Sequence, residues 1–371
     1  MEDNELLLSL FLEGFYHLPK EVKIRAIRDL GRHQGEGALF LLDIMAEASD
    51  RDSAMAAIGA LGRIRSHKAV KILERISRRS LRPQLVKAAR RSMLRLNFLG
   101  IRGEEVGTKP WAGEVYKVFL SRIDPCGNRY LWFSRRRVED EEALENMCLV
   151  INEECGIIEC TGSFSSDRLD FDATIRRARK EEAIFEVAHD YGLIILKDAL
   201  MQNERSGYAL PPDFILRKKI FTDDDLTPED YRPRFPGYNL NDIVNDRRLY
   251  LKTGELLDLR EFSDWNISEE GVYHLADEMM RAKEERARGV IFRRCLNQVV
   301  IPLAPTMRER LTLMADLFSR GGQERKARLT LEDSDLLCHP FLRRLTAESL
   351  KAATKILSLE MEEEFQELDD L

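Results

Sequence analysis

Thirteen lysines and arginines lie between Arg63 and Arg102 against one acid, Glu74, so this stretch carries +12 in a chain whose net charge is −7. The remaining residues therefore sum to −19. The cations are ordered as well as numerous. Lys68, Lys71, Arg75, Arg78, Arg79 and Arg82 recur at spacings of three and four, and Lys87, Arg90, Arg91 and Arg95 do so again on the next segment. At those spacings side chains share a helix face. Clustered guanidinium groups pair bidentately with carboxylates and phosphates and release counterions from polyanions. The chemistry expected of these ten residues is recognition of an anionic partner, either nucleic acid or an acidic protein. The competing expectation is a solvated face, or one neutralised within the chain by segments such as Glu360–Asp370, which holds seven carboxylates and no basic residue.

Other residues capable of chemistry are fewer. Tyr130-Leu131-Trp132-Phe133-Ser134-Arg135-Arg136-Arg137 sets aromatics on a strand beside three arginines, a pattern that stacks bases in single-strand binders. Alternating aromatics on a strand are more often core. Asp167, Asp170 and Asp172 crowd a helix start, where acids serve as caps. Cys148, Cys155, Cys160 and His189 fit no metal-ligand spacing, and Cys338-His339 has no partner that sequence identifies. The chain has no CxxC pair, phosphate-binding glycine loop, GxSxG elbow or HExxH. No catalytic, cofactor-binding or metal residue is assigned. An enzyme would need convergent polar groups in a pocket of the middle of the chain.

The elements that position the cations repeat. At an offset of 31 residues, Ala26, Ile27, Leu30 and Gly31 fall over Ala57, Ile58, Leu61 and Gly62, and Ala38, Leu39, Leu42 and Met45 over Ala69, Val70, Leu73 and Ile76. Each copy reads as two short helices, the first closed by a glycine in the left-handed conformation. A unit this small must stack on a neighbour to bury its apolar face. Val22-Lys23-Ile24-Arg25-Ala26-Ile27-Arg28-Asp29-Leu30-Gly31 resembles the first helix of a short bacterial HEAT repeat, of the PBS-lyase-like kind, and Gly62 to Leu73 resembles its turn and second helix. A third unit, Arg82 to Leu96, keeps the spacing without the leucine-glycine ending. The resemblance covers about the first hundred residues. It implies a scaffold that binds partners, with second helices lining one concave surface and the basic residues of two adjacent helices forming a ridge there.

Beyond a linker at Gly103–Pro110 the period changes. Val115–Ile123, Arg129–Arg135, Met147–Ile151 and Ile157–Thr161 read as four strands in two hairpins, covered by helices at Phe171–Glu182 and Ile184–Asn203. Five prolines and Asp223-Asp224-Asp225 make Gly207–Gly237 a connector, with a short helix near Phe214–Ile220. Helices then follow at Ser268–Arg288, Val290–Ile301, Arg308–Arg320, Gln323–Leu337 and Phe341–Leu359, with Pro302 and Pro305 as a stop. Three blocks result: a HEAT-like repeat domain at 1–102, a small α+β module at 110–222 and a helical domain with an acidic tail at 238–371. The fold class is mainly α. With 371 residues, 44% apolar and 33% charged, no bilayer-spanning run and an acidic start, the expectation is a cytoplasmic, multidomain, non-catalytic adaptor with no membrane partner. Leu6–Leu12 then reads as the first buried helix.

Overall fold

The computed structural model describes residues 11, 14–15, 17–46, 50–80, 82–102, 113–137, 140, 142–222, 224–233, 235, 255–336 and 339–369. Leu6–Leu10, the linker at 103–110, Asp223 and Cys338 lie outside them, as do the side chains of Arg79, His339 and residues 361–371. The chain is mainly helical with one antiparallel sheet. It forms two compact units, the first built from 1–120, 130–177 and 186–231, the second from 121–129, 178–185 and 232–371. This division differs from the three blocks read along the sequence, because the tip of the first hairpin and residues 178–185 group with the C-terminal helices.

In the first unit, α1 (Lys20–His33), α2 (Leu39–Ala46), α3 (Arg51–Leu61), α4 (His67–Arg79) and α5 (Pro83–Phe98) follow one another. Asp50 caps α3 by accepting from the Ser53 amide at 2.8 Å, and the Ser66 hydroxyl accepts from the Lys68 amide at the start of α4. Pro83 opens α5, where its missing N–H costs nothing. The helices stack in two rows: α1 packs on α3 and α3 on α5, while α2 packs on α4. Their shared core holds the repeated residues Ile27, Leu42, Ala57, Ile58, Leu61, Ala69 and Leu73.

The repeated glycines do a different job from the one expected. Gly31 lies inside α1, and Gly62 has φ of −67°, so neither adopts the left-handed conformation. A Cβ on Gly31 would stand 2.7 Å from that of Ala60, and one on Gly62 would stand 2.5 Å from that of Ser92. Each glycine lets the next helix in its row approach closely. Gly62→Ala is therefore expected to destabilise the protein by about 1–3 kcal/mol in urea unfolding, as overpacking does. Gly59→Ala is the control: its Cβ meets nothing within 4 Å, so helix propensity should make it neutral or stabilising by up to about 1 kcal/mol.

The sheet runs β4-β3-β2-β1-β5, with β1 Val115–Ser121, β2 Asn128–Arg136, β3 Ala143–Asn152, β4 Gly156–Asp167 and β5 Ile184–Glu186. The two expected hairpins are present, with Phe119 opposite Trp132 and Leu149 opposite Cys160. The fifth strand was not anticipated. It occupies the start of the segment read as the helix Ile184–Asn203, and that helix, α7, spans His189–Ser206 instead. Between β4 and β5, α6 (Arg168–Glu181) lays Phe171 against Tyr116 and Phe119. α7 packs on the sheet so closely that Gly192 meets Val118 and Phe133. The short helix α8 (Pro212–Arg217) touches both β4 and α2.

The second unit contains α9 (Glu270–Arg281), α10 (Glu285–Cys295), α11 (Ala304–Arg320), α12 (Glu324–Leu336) and α13 (His339–Asp369). The expected helix Ser268–Arg288 is broken, because Ala282 is extended at ψ 117°. Pro302 and Pro305 do not end the helical path. They fall in the first turns of a 3-10 segment and of α11, where a proline is tolerated. α11 and α12 pack together through buried Leu311, Met314, Ala315, Phe318, Ala327 and Leu331. Around Phe262, Trp265 and Phe318, the Trp265 indole donates to the Ile123 carbonyl at 3.2 Å. No helix among the described residues is long and apolar enough to cross a membrane.

Candidate functional site

The ten basic residues divide into two groups. Lys68, Lys71 and Arg78 on α4 and Lys87, Arg90, Arg91 and Arg95 on α5 are exposed and form no ion pair within the described residues. Arg75 and Arg82 turn away. Arg75 is only 20% exposed and pairs with Asp43 of α2. Both arginines line a cleft described below. The side chain of Arg79 is outside the described residues.

Packing also alters how the ridge is built. The expectation placed α4 and α5 together as second helices of successive repeats. α5 instead continues the α1–α3 row, whereas α4 belongs to the α2 row. The two basic helices are successive and pack against each other, but they come from different rows. α5 buries Leu85, Ala89, Ser92 and Leu96 and turns Lys87, Arg90, Arg91, Leu94, Arg95 and Phe98 outward. Phe98 is 89% exposed, with Leu94 and Leu99 more than half exposed beside the arginines. Single exposed apolar residues are ordinary, but three together beside arginines are characteristic of interfaces.

The aromatic strand is core on one face, where Leu131 and Phe133 are fully buried; Tyr130, 39% exposed, stacks at 5.5 Å on the half-buried Trp132. Its three arginines are already matched with acids. Arg136 meets Glu114 at 3.4 Å, Arg137 reaches Glu145 at 4.0 Å, and Arg135 donates to Asp225 at 3.2 Å. Arg135 also donates to Nε2 of His189 at 3.1 Å, which requires a neutral imidazole. Burial first, and then the neighbouring Arg135 charge, hold the His189 pKa below its ordinary value. This cluster ties Asp225 to the sheet, and the Thr222 amide donates to the same Asp225 carboxylate.

The remaining candidates are structural. Asp172 accepts from Lys117 at 2.9 Å and from the Tyr116 hydroxyl at 3.1 Å. Burial pushes the Cys148 thiol up to about 12 and raises that of Cys160, the reverse of what a nucleophile requires. No three His, Cys, Asp or Glu side chains gather as a metal site among the described residues.

The first unit also contains a cleft of about 140 Å³ that sequence reading missed. Arg75, Ile76, Arg82 and Leu85 supply one wall, while Asn203, Glu204, Phe214 and Lys218 are among those supplying the other. Asn203 fixes that second wall. Its Oδ1 accepts from the Ile157 amide at 2.7 Å, and its Nδ2 donates to the carbonyls of Ile157 and Tyr208 at 3.0 and 3.3 Å. One signal was available in the sequence, since Asn203 continues the apolar stripe Ile195, Ala199 and Leu200 of α7, where a polar residue needs a buried partner. Comparison of the chain with protein-family models, with curated proteins and with solved structures finds no match in any of the three.

Proposed function

We propose that this chain is an adaptor of the HEAT-repeat kind, binding a polyanionic partner through the basic faces of α4 and α5 without chemistry of its own. One observation carries the reading: seven exposed cations on two successive helices form no ion pair within the described residues. By contrast, Arg75, Arg122 and Arg135, whose side chains are largely buried, are each matched with an acid. Like charges at this density repel unless a partner neutralises them, and their field accelerates encounter with an anion. The two-row stacking with a 31-residue period supports the repeat assignment. The exposed Leu94, Phe98 and Leu99 favour an acidic protein over nucleic acid, because a phosphate backbone offers nothing to bury them.

The test is charge reversal. With Arg78, Arg79, Arg90 and Arg91 all changed to Glu, binding to polyglutamate, DNA and RNA at low salt is expected to fall about 100-fold, with the circular dichroism spectrum unchanged. Wild-type protein that binds none of the three in a salt-dependent manner would refute the reading.

A further inference from the structure

Of the two basic helices, α5 has the more particular surface. It carries four cations and no acid, and none of the four pairs with a carboxylate within the described residues. Lys87, Arg91, Leu94 and Phe98 follow one another at four, three and four residues and so form one outward stripe, with Arg90 and Arg95 beside it. Leu85, Ala89, Ser92 and Leu96 face the core on the other side. The stripe is graded along the helix. Lys87, Arg90 and Arg91 fill its first half, whereas its second half exposes Leu94 by 56% and Phe98 by 89% around Arg95.

This grading narrows the partner. A helix that lies on a membrane spreads its apolar groups along one whole face and its cations along the other, but on α5 both share a single stripe and the apolar groups are confined to one end. Side chains at helical spacing make a straight ridge that fits the groove of another helix. From Lys87 to Phe98 the ridge is about 16 Å long, or about three turns of such a helix. α5 also ends the α1–α3–α5 row. Terminal helices of repeat arrays are polar outside, and Leu94 and Phe98 depart from that rule.

We propose, resting on the adaptor reading, that this stripe docks an acidic amphipathic helix of a partner protein. Its carboxylates pair with Lys87, Arg90, Arg91 and Arg95, and an apolar side chain at one end of its face packs on Leu94 and Phe98. The cations speed encounter, and the apolar end supplies the buried anchor that a polyanion without apolar groups cannot use.

Fluorescence anisotropy of labelled peptides with the full chain tests this. The probe is a helix-forming peptide of about 20 residues, long enough to hold a helix, with glutamates along one face and leucines at both ends of that face, so that either direction of docking meets Phe98. It is expected to bind at least about tenfold more tightly than the same peptide with its leucines changed to glutamine, or with a central proline that breaks the helix. Phe98→Gln should remove that advantage while leaving polyglutamate binding unchanged, and Leu94→Gln makes the same comparison should Phe98→Gln fail to fold. Equal binding of the three peptides, or both variants binding the probe as wild type does, would overturn the helix assignment while salt-dependent polyglutamate binding upholds the adaptor reading. Absence of salt-dependent binding to polyglutamate, DNA and RNA would overturn both. Phosphatidylserine-containing vesicles binding more tightly than the probe would mark a membrane surface and overturn the assignment as well.

Discussion

Replacing Asn203 with leucine is expected to destabilise the first unit by about 2–6 kcal/mol, because it leaves two buried backbone groups of Ile157 without partners at about 1–3 kcal/mol each. Ile157 is fully buried at the start of β4, and the Asn203 side chain serves both its N–H and its C=O. Leucine has suitable bulk but no polar atom. The neighbouring Gly156 sharpens the constraint. It sits at φ +84°, and a Cβ there would come within 2.4 Å of both Asn203 Oδ1 and the Ala199 carbonyl oxygen. Turn, strand and helix are fitted around one amide. Ser206→Ala is the comparison, because the Ser206 hydroxyl reaches the Cys155 carbonyl at 3.3 Å in an exposed setting and should cost less than about 1 kcal/mol. Urea unfolding measures both. Hydrogen exchange adds a local readout: amides of residues 207–210 should exchange faster in Asn203→Leu, since the Tyr208 carbonyl loses its anchor. A loss below about 1 kcal/mol would show that water satisfies Ile157 equally well.

Arg122→Met is expected to cost the second unit about 2–4 kcal/mol, somewhat below the 3–5 typical of breaking a buried ion pair. The Arg122 side chain is 8% exposed and forks between Glu182 and Asp264, with a further bond to the Glu261 carbonyl at 3.2 Å. Burial opposes its charge, but the Asp264 and Glu182 carboxylates outweigh that and hold its pKa above the ordinary value. Asp264 is half-exposed and rehydrates when the arginine goes, which keeps the cost at the lower end. Glu182 is less exposed and bears most of it. Arg122→Lys should fall between wild type and Met, since an ammonium keeps the charge but lacks the planar fork that pairs Arg122 bidentately with Asp264. Hydrogen exchange across residues 255–350 is the measurement. Unchanged protection in Arg122→Met would mean the cluster adds nothing to the stability of this unit.

Much of the secondary structure is legible because local periodicity reports burial directly. The 31-residue offset located Ile27, Leu42, Ile58, Leu61 and Leu73 in one core, and alternation placed both hairpins. Elements whose signal is short or non-local escaped. β5 has only three residues and is set by pairing, with the Val187 amide donating to the Val118 carbonyl at 3.0 Å. The break after Arg281 carries neither glycine nor proline.

For the candidate sites the division follows the same physics. Sequence alone determined that the +12 stretch would lie on helices with its cations opposite Ala69, Leu73 and Ile76, since spacing along a helix decides which side chains share a face. Tertiary structure alone decided that Arg75 and Arg82 line a cleft while seven others stay in water. It likewise decided that α5 joins the row of α3 and that Gly62 serves close packing instead of capping. Periodicity states that a residue is buried or exposed, but the identity of its neighbour depends on contacts between segments distant in the chain, and no local pattern encodes those.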